Sequence, residues 1–191
     1  DVLDMFNVRY LITTDPQNQS QRIVRRSTAA GNAWFVDKIS FVKGNAEEMQ
    51  AISSFDPRKE AFVNQQYQNE IKAKTSSAAT AGEIKLTSYH PDKMQYEYTA
   101  NNDAFAVFSE VFYDKGWKAY VDGKETPIIR ADYLLRALQL PAGTHKVEFI
   151  FDPESHKMGN LLTLISSIIL GLGIVAAAYF SFRGTKKETA A

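Results

Sequence analysis

Leu161–Phe182 is an unbroken run of 22 residues without a charged side chain. As a helix rising ~1.5 Å per residue it extends ~33 Å, which matches the ~30 Å hydrocarbon core of a bilayer. A helix buried in a soluble core carries polar punctuation that this run lacks. The pattern predicts a transmembrane helix over residues 158–182. Arg183, Lys186 and Lys187 follow it, whereas Asp152, Glu154 and Lys157 precede it. Positive charge collects on the cytoplasmic side of a span. Residues 183–191 are therefore expected as a cytoplasmic tail, and 1–157 as an extracytoplasmic domain. Gly173 and Ala177 form a small-xxx-small pair that can seat a neighbouring helix, so packing on upstream helices of the same protein is expected. No basic stretch leads into an apolar one after Asp1, so the start reads as a fragment or a processed product rather than a signal peptide.

The residues before the span have the rhythm of β-structure. Ala104–Ser109 alternates, with Phe105 and Val107 on one face. Asp122-Gly123 lies between Ala119-Tyr120-Val121 and Lys124-Glu125-Thr126. A two-residue turn needs positive φ, which glycine adopts freely. Leu134–Leu140 and His145–Phe151 read as strands joined by Pro141-Ala142-Gly143-Thr144, with Val147, Phe149 and Phe151 on a shared face. Glu83–Tyr89 and Lys93–Thr99 pair around His90-Pro91-Asp92, and Met94, Tyr96 and Tyr98 alternate with Gln95 and Glu97. The chain is 45% apolar and 12% aromatic, enough for a core. Together these features predict an antiparallel β-sandwich over residues 83–157.

Residues 1–63 read differently. Val8–Thr13 is a short strand. Thr14–Asn32 is polar and reads as a loop, whose Arg22, Arg25 and Arg26 either touch anionic headgroups or face solvent. Ala33–Val42 is a second apolar run. Asn45 can cap a helix and Glu48 takes the capping-box position. Met49 and Ile52 follow at helical spacing, and Asp56-Pro57 ends the helix near Ser54. Ala61-Phe62-Val63 is a brief strand, so 1–63 is expected as a small α/β lobe. Residues 64–82, rich in Gln and then in small polar residues, read as a linker or mobile loop. The fold class is mainly β: a sandwich with a small N-terminal α/β lobe and one C-terminal transmembrane helix.

Several functions are excluded or unsupported. Net charge is zero, so nothing neutralises a nucleic-acid backbone. Without cysteine there are no disulfides, thiolate metal sites or thiol nucleophiles. His90, His145 and His156 show no metal-ligand spacing, and no GxSxG elbow, phosphate loop or dinucleotide glycine pattern is present. No catalytic residue, metal or cofactor is assigned. Candidate binding residues remain. Arg130 and Arg136 suit bidentate contact with phosphate or carboxylate, with Asp132 between them; alternatively Asp132 forms a structural ion pair with one arginine. Tyr113 and Trp117, with Tyr120 and Tyr133, either stack on a sugar ring or fill the core, and Trp34 has the same two readings. Asp122 is read as turn chemistry.

The run from Phe108 to Phe151 resembles the C-terminal extracytoplasmic domain of the YfhO family of bacterial multi-pass membrane proteins. The matching pieces are Tyr113–Val121 with Gly116-Trp117 inside it, Asp122-Gly123-Lys124, Arg130-Ala131-Asp132-Tyr133, Arg136-Ala137, and Pro141-Ala142-Gly143 before His145. The stretches Asp4–Ile12 and Gly31–Val36 resemble the family too. The family is similar to the GT-C glycosyltransferases, which use polyprenyl-phosphate sugars. The resemblance implies the tail of a longer protein of the bacterial cytoplasmic membrane, acting on cell-envelope glycans. Its catalytic carboxylate would lie in an early extracytoplasmic loop outside these residues. This domain would then cover the membrane-embedded site and help bind a lipid-linked sugar or glycan. The alternative is a carbohydrate-binding or scaffold module, a protein-interaction domain without an enzymatic parent. An exposed planar row of aromatics favours that alternative; burial of Trp117 and the tyrosines counts against it.

Overall fold

The computed structural model describes residues 2–71 and 82–188, with side chains as far as 180. The chain divides into two compact units, the first ending at Phe151 and the second starting at Asp152. The first unit begins with a one-turn helix, α1 (Val2–Met5), and an antiparallel hairpin of β1 (Tyr10–Thr14) and β2 (Gln21–Arg25). The segment 14–32, expected as a loop, thus contains a strand. Arg22-Ile23-Val24-Arg25 has the β-branched pair that a strand favours, and β1 supplies its partner.

Next come β3 (Ala33–Phe35), β4 (Lys38–Val42), α2 (Asn45–Ala51) and β5 (Glu60–Asn64). The meander continues with β6 (Gly82–His90), β7 (Lys93–Ala100), β8 (Ala104–Val111), β9 (Trp117–Val121), β10 (Lys124–Thr126), β11 (Ile129–Ala131), β12 (Leu135–Leu140) and β13 (Gly143–Phe151). Two sheets result: β10-β9-β13-β7-β6, and β3-β8-β12-β11-β5-β4. All pairings are antiparallel except β4 with β5, which run parallel through the α2 crossover.

The sheets face each other as a sandwich, in line with the fold expected from the alternation. Between them lie Met94, Tyr96 and Tyr98 of β7, Ala106 and Phe108 of β8, Leu138 and Leu140 of β12, and Val147 and Phe149 of β13. Tyr96, Phe108 and Phe149 meet edge to face, with Phe108 4.9 Å from each of the other two rings, geometry that favours aromatic pairs beyond their burial. A second cluster on the other side of the six-stranded sheet gathers Met5, Trp34, Val36, Ile52, Val63, Val107, Ile129 and Leu135. It carries residues expected in a separate lobe. Residues 33–64 do not make a sheet of their own: β3 pairs with β8, and β5 with β11. Their short strands would leave open edges alone, and joining the larger sheet closes them.

Part of the expected linker is structured as well. Asn64 caps a 3-10 turn, Gln65–Tyr67, by accepting from Gln66 N–H, and Ile71 is buried. Residues 72–81 lie outside the described residues. At the far end of the same stretch, β6 begins at Gly82.

The second unit is the helix α3 (Glu154–Glu188), apolar enough and long enough over Glu154–Phe180 to cross a membrane. It starts four residues before the expected span. Its large apolar side chains are exposed from Met158 to Phe180. Three of its hydroxyls are satisfied internally: Thr163, Ser166 and Ser167 donate to Gly159, Leu162 and Thr163 carbonyls, at 2.8–2.9 Å. Such back-bonding is what a polar group needs where lipid offers no partner.

Candidate functional site: an aromatic cleft and the charges behind it

The chain leaves β8 at Val111, turns at Gly116 (φ 91°) and enters β9 at Trp117. This turn, the edge strand β10 and the 3-10 turn after β5 enclose a cleft of about 470 Å³. Tyr67, Tyr113 and Trp117 give it aromatic walls; Asp114, Lys118 and Glu125 give it polar groups. Tyr113 is 53% exposed. Trp117 is half-buried, with its ring 5.2 Å from that of Phe151. Trp34, by contrast, is a core residue whose indole N–H donates to Pro57 O.

Behind Trp117 lies Arg136, only 4% exposed. Its guanidinium sits 4.0 Å from the centre of the Trp117 ring and 5.5 Å from that of Phe149, and its Nε donates to Val111 O at 3.0 Å. Burial pushes the Arg136 pKa down, and the negative charge of Glu110 opposes that push. The Glu110 carboxyl is itself raised by burial and lowered by Arg136. A guanidinium over the face of an indole is attracted by the ring's negative face, so Arg136 fixes the ring that lines the cleft.

Arg130 has another environment. It is opposite Arg136 in the β11–β12 register, yet its head is bound elsewhere. Nη2 donates to Glu48 Oε2 at 2.9 Å and to Asn45 Oδ1 at 2.6 Å. Glu48 is fully buried, and its other oxygen accepts from Tyr133 N–H at 2.9 Å. Neither Asn45 nor Glu48 caps α2: the N-cap is Gly44, with no side-chain bond, and Glu47 reaches back to Lys43 N–H instead. The α2 helix also ends at Ala51. Helical spacing places Glu48 four residues from the buried Ile52, whereas Met49 is 53% exposed; that shared face was the sequence signal for a buried carboxylate.

Asp132 is not the partner of either arginine. It is fully buried with φ 50°. Its N–H donates to Phe62 O, and its Oδ1 accepts from Phe62 N–H at 2.8 Å. Asp132 thereby extends the pairing of β11 with β5. Burial pushes its carboxyl up to about 8; the Phe62 N–H opposes this, and Glu48 and Glu60 add to it. Of the five candidate residues, then, Tyr113 and Trp117 share the cleft and Arg136 supports it, while Arg130 and Asp132 belong to the Glu48 cluster. Tyr67 and Glu110 were not singled out from sequence, and Glu48 was read only as a capping residue, because the surroundings of each are brought in by segments distant along the chain.

Asp122 has the turn role assigned to it. It accepts from Lys146 N–H at 2.9 Å and faces His145 Nδ1 at 2.6 Å. His145 Nε2 faces Ala142 O at 3.0 Å. Two acceptors around one ring favour its charged form. The Ala142 carbonyl, then Asp122, raise the His145 pKa; the Lys146 N–H, then His145, lower that of Asp122.

A β-sandwich with an aromatic cleft at its edge, followed by an apolar helix of membrane-spanning length, defines a membrane-associated β-domain. The chain belongs to the YfhO family: the family described as Bacterial membrane protein YfhO matches residues 62–163, more than half of its 191 residues. It is similar to the "Uncharacterized protein YfhO" of Bacillus subtilis (strain 168), at 25% identity over 132 residues. That match covers 69% of this chain and 14% of the relative. No solved structure matches.

Proposed function

We propose that this chain is the extracytoplasmic domain and C-terminal anchor of a longer membrane protein, and that its aromatic cleft holds a sugar unit of a cell-envelope glycan. On this reading a catalytic core outside the chain transfers sugar from a polyprenyl-phosphate donor, and the sandwich presents the acceptor. The cleft is the observation that carries the reading. A pyranose has an apolar C–H face that packs on aromatic rings and a rim of hydroxyls that bond to charged groups. Tyr67, Tyr113 and Trp117 offer the rings; Asp114, Lys118 and Glu125 offer the partners. Two carboxylates beside one lysine suit a neutral glycan better than a phosphate. An anion clamp by Arg130 and Arg136 is less well supported, since both heads already have partners within the domain. The scaffold alternative draws on the same cleft and differs only in lacking the enzymatic parent.

Tyr113→Ala in the longer protein tests the reading. Tyr113 is exposed and outside both core clusters, so the variant should insert and melt as the parent does while sugar transfer falls at least tenfold, the loss of about 1.4 kcal/mol of contact. Undiminished transfer would remove the cleft from the reaction. Binding without any transfer by the parent would favour the scaffold alternative. The basic residues after Phe182 place the C-terminus in the cytoplasm on this reading. A reporter fused after Ala191 that is active only outside the cytoplasm would contradict that orientation.

A further inference from the structure

The β1–β2 hairpin is the largest feature that the cleft leaves unexplained. Among the described residues its two strands pair only with each other. Nine of its ten strand residues are exposed, Leu11 alone being half-buried. The register sets Tyr10 opposite Arg25 and Ile12 opposite Ile23, and directly opposite residues share a face. One face therefore presents Tyr10, Ile12 and Ile23, exposed by 60, 67 and 69%. A two-stranded hairpin is marginal in water on its own, and an apolar face on it marks a contact surface.

Charge decides what that contact is. Residues 9–26 hold four arginines and one acid, Asp15, in a chain of zero net charge. Arg26 is bound to Asp4 at 2.8 Å. Arg22 and Arg25 have no carboxylate partner among the described residues; the register puts Arg25, opposite Tyr10, on the apolar face and Arg22, opposite Thr13, on the other. A surface that is apolar and cationic together fits a layer that is apolar and anionic together, namely the headgroup region of a bilayer containing acidic lipids. Tyrosine suits the boundary between the two media, and arginine can bury its stem while its head reaches phosphate. The turn Asp15–Ser20 is polar and bonded to itself, through Asp15 N–H to Ser20 O, Gln17 N–H to Asp15 Oδ1 and Ser20 N–H to Asn18 Oδ1. A tip of that kind does not enter hydrocarbon.

We propose that the hairpin lies flat on an anionic membrane surface, with Tyr10, Ile12 and Ile23 toward the acyl chains, Arg25 reaching from that face back to the phosphates and Arg22 meeting them from the opposite face. The same chain carries a helix long and apolar enough to cross a bilayer.

The test uses the whole chain, one copy per nanodisc, in phosphatidylcholine with or without phosphatidylglycerol. The absence of cysteine allows single labels. A fluorophore on Ile12→Cys should be quenched by doxyl lipid and shielded from iodide in the anionic discs, while one on Gln17→Cys stays open to iodide. Ile23→Cys repeats the measurement should a label at Ile12 disturb the hairpin. Arg22→Ala with Arg25→Ala should lower the docked-to-undocked ratio by about thirtyfold in anionic discs only, each arginine being worth about 1 kcal/mol at such a surface. Full iodide access at both isoleucine positions would overturn the proposal. So would a label shielded from both quenchers, in the discs or in the longer parent protein, because protein would then cover the face.

Discussion

The Asp132 carboxyl is fully buried away from water. It titrates near 3.8 when exposed and at about 8 in the folded chain. The folded state therefore holds the proton more tightly, and the stability this contributes is complete below the exposed value. It drains away as pH rises from about 4 toward 8. Asp132→Asn keeps an acceptor for Phe62 N–H and tolerates the positive φ, so it should flatten the fall in denaturation midpoint across that window. A wild-type midpoint that does not fall there would contradict the burial argument. His145 titrates in the same sense, its pKa raised by Ala142 O and Asp122, so a small residual fall in the variant belongs to it. Glu48 makes a second prediction. Glu48→Ala deprives Arg130 of its carboxylate and Tyr133 N–H of its acceptor. Breaking a buried pair from one side costs about 3–5 kcal/mol, and the partial exposure of Arg130 moves the expectation to about 3. Equilibrium denaturation reads it directly, and a loss below about 1 kcal/mol would make the pair an exposed one in effect.

Among the elements, the β9–β10 turn is the one whose chemistry is most local. Asp122 and Gly123 both have positive φ, 48° and 81°, as a two-residue turn between twisted strands requires. A side chain at Gly123 would meet nothing within 4 Å, so the cost of Gly123→Val is backbone strain alone, about 1–3 kcal/mol. An unchanged denaturation midpoint would mean that the turn adopts another form. This hairpin, the β6–β7 hairpin and the apolar helix were legible in the sequence because each is written within a few neighbouring residues. Tyr113 and Trp117 were legible as a pair for the same reason. The placement of β3, β4 and β5 was not, because it depends on β8 and β11, whose residues lie tens of positions away. Glu48 was misread on similar grounds: a glutamate three residues after an asparagine has the spacing of a cap, and only Arg130 and Tyr133 turn it inward. The β1–β2 pairing was hidden by arginines and glutamines that read as loop.

At the scale of the molecule, the sandwich, its cleft and the apolar helix are parts of one proposal, that the domain holds glycan at a membrane. Asp114, Lys118 and Glu125 of the cleft have no ion pair among the described residues, whereas Arg136 behind it and Arg130 are absorbed by internal contacts. The chain's two tryptophans allow a direct test, since Trp34 is in the core and Trp117 lines the cleft. With 5-fluorotryptophan in both positions, the whole chain in nanodiscs gives two 19F signals, assigned by Trp34→Phe and titrated with neutral oligosaccharides. If the cleft holds a sugar, the Trp117 signal shifts and saturates, the Trp34 signal stays, and Tyr113→Ala abolishes the shift. If neither signal moves at any oligosaccharide concentration up to the millimolar range, or both move together regardless of Tyr113, the cleft does not bind glycan.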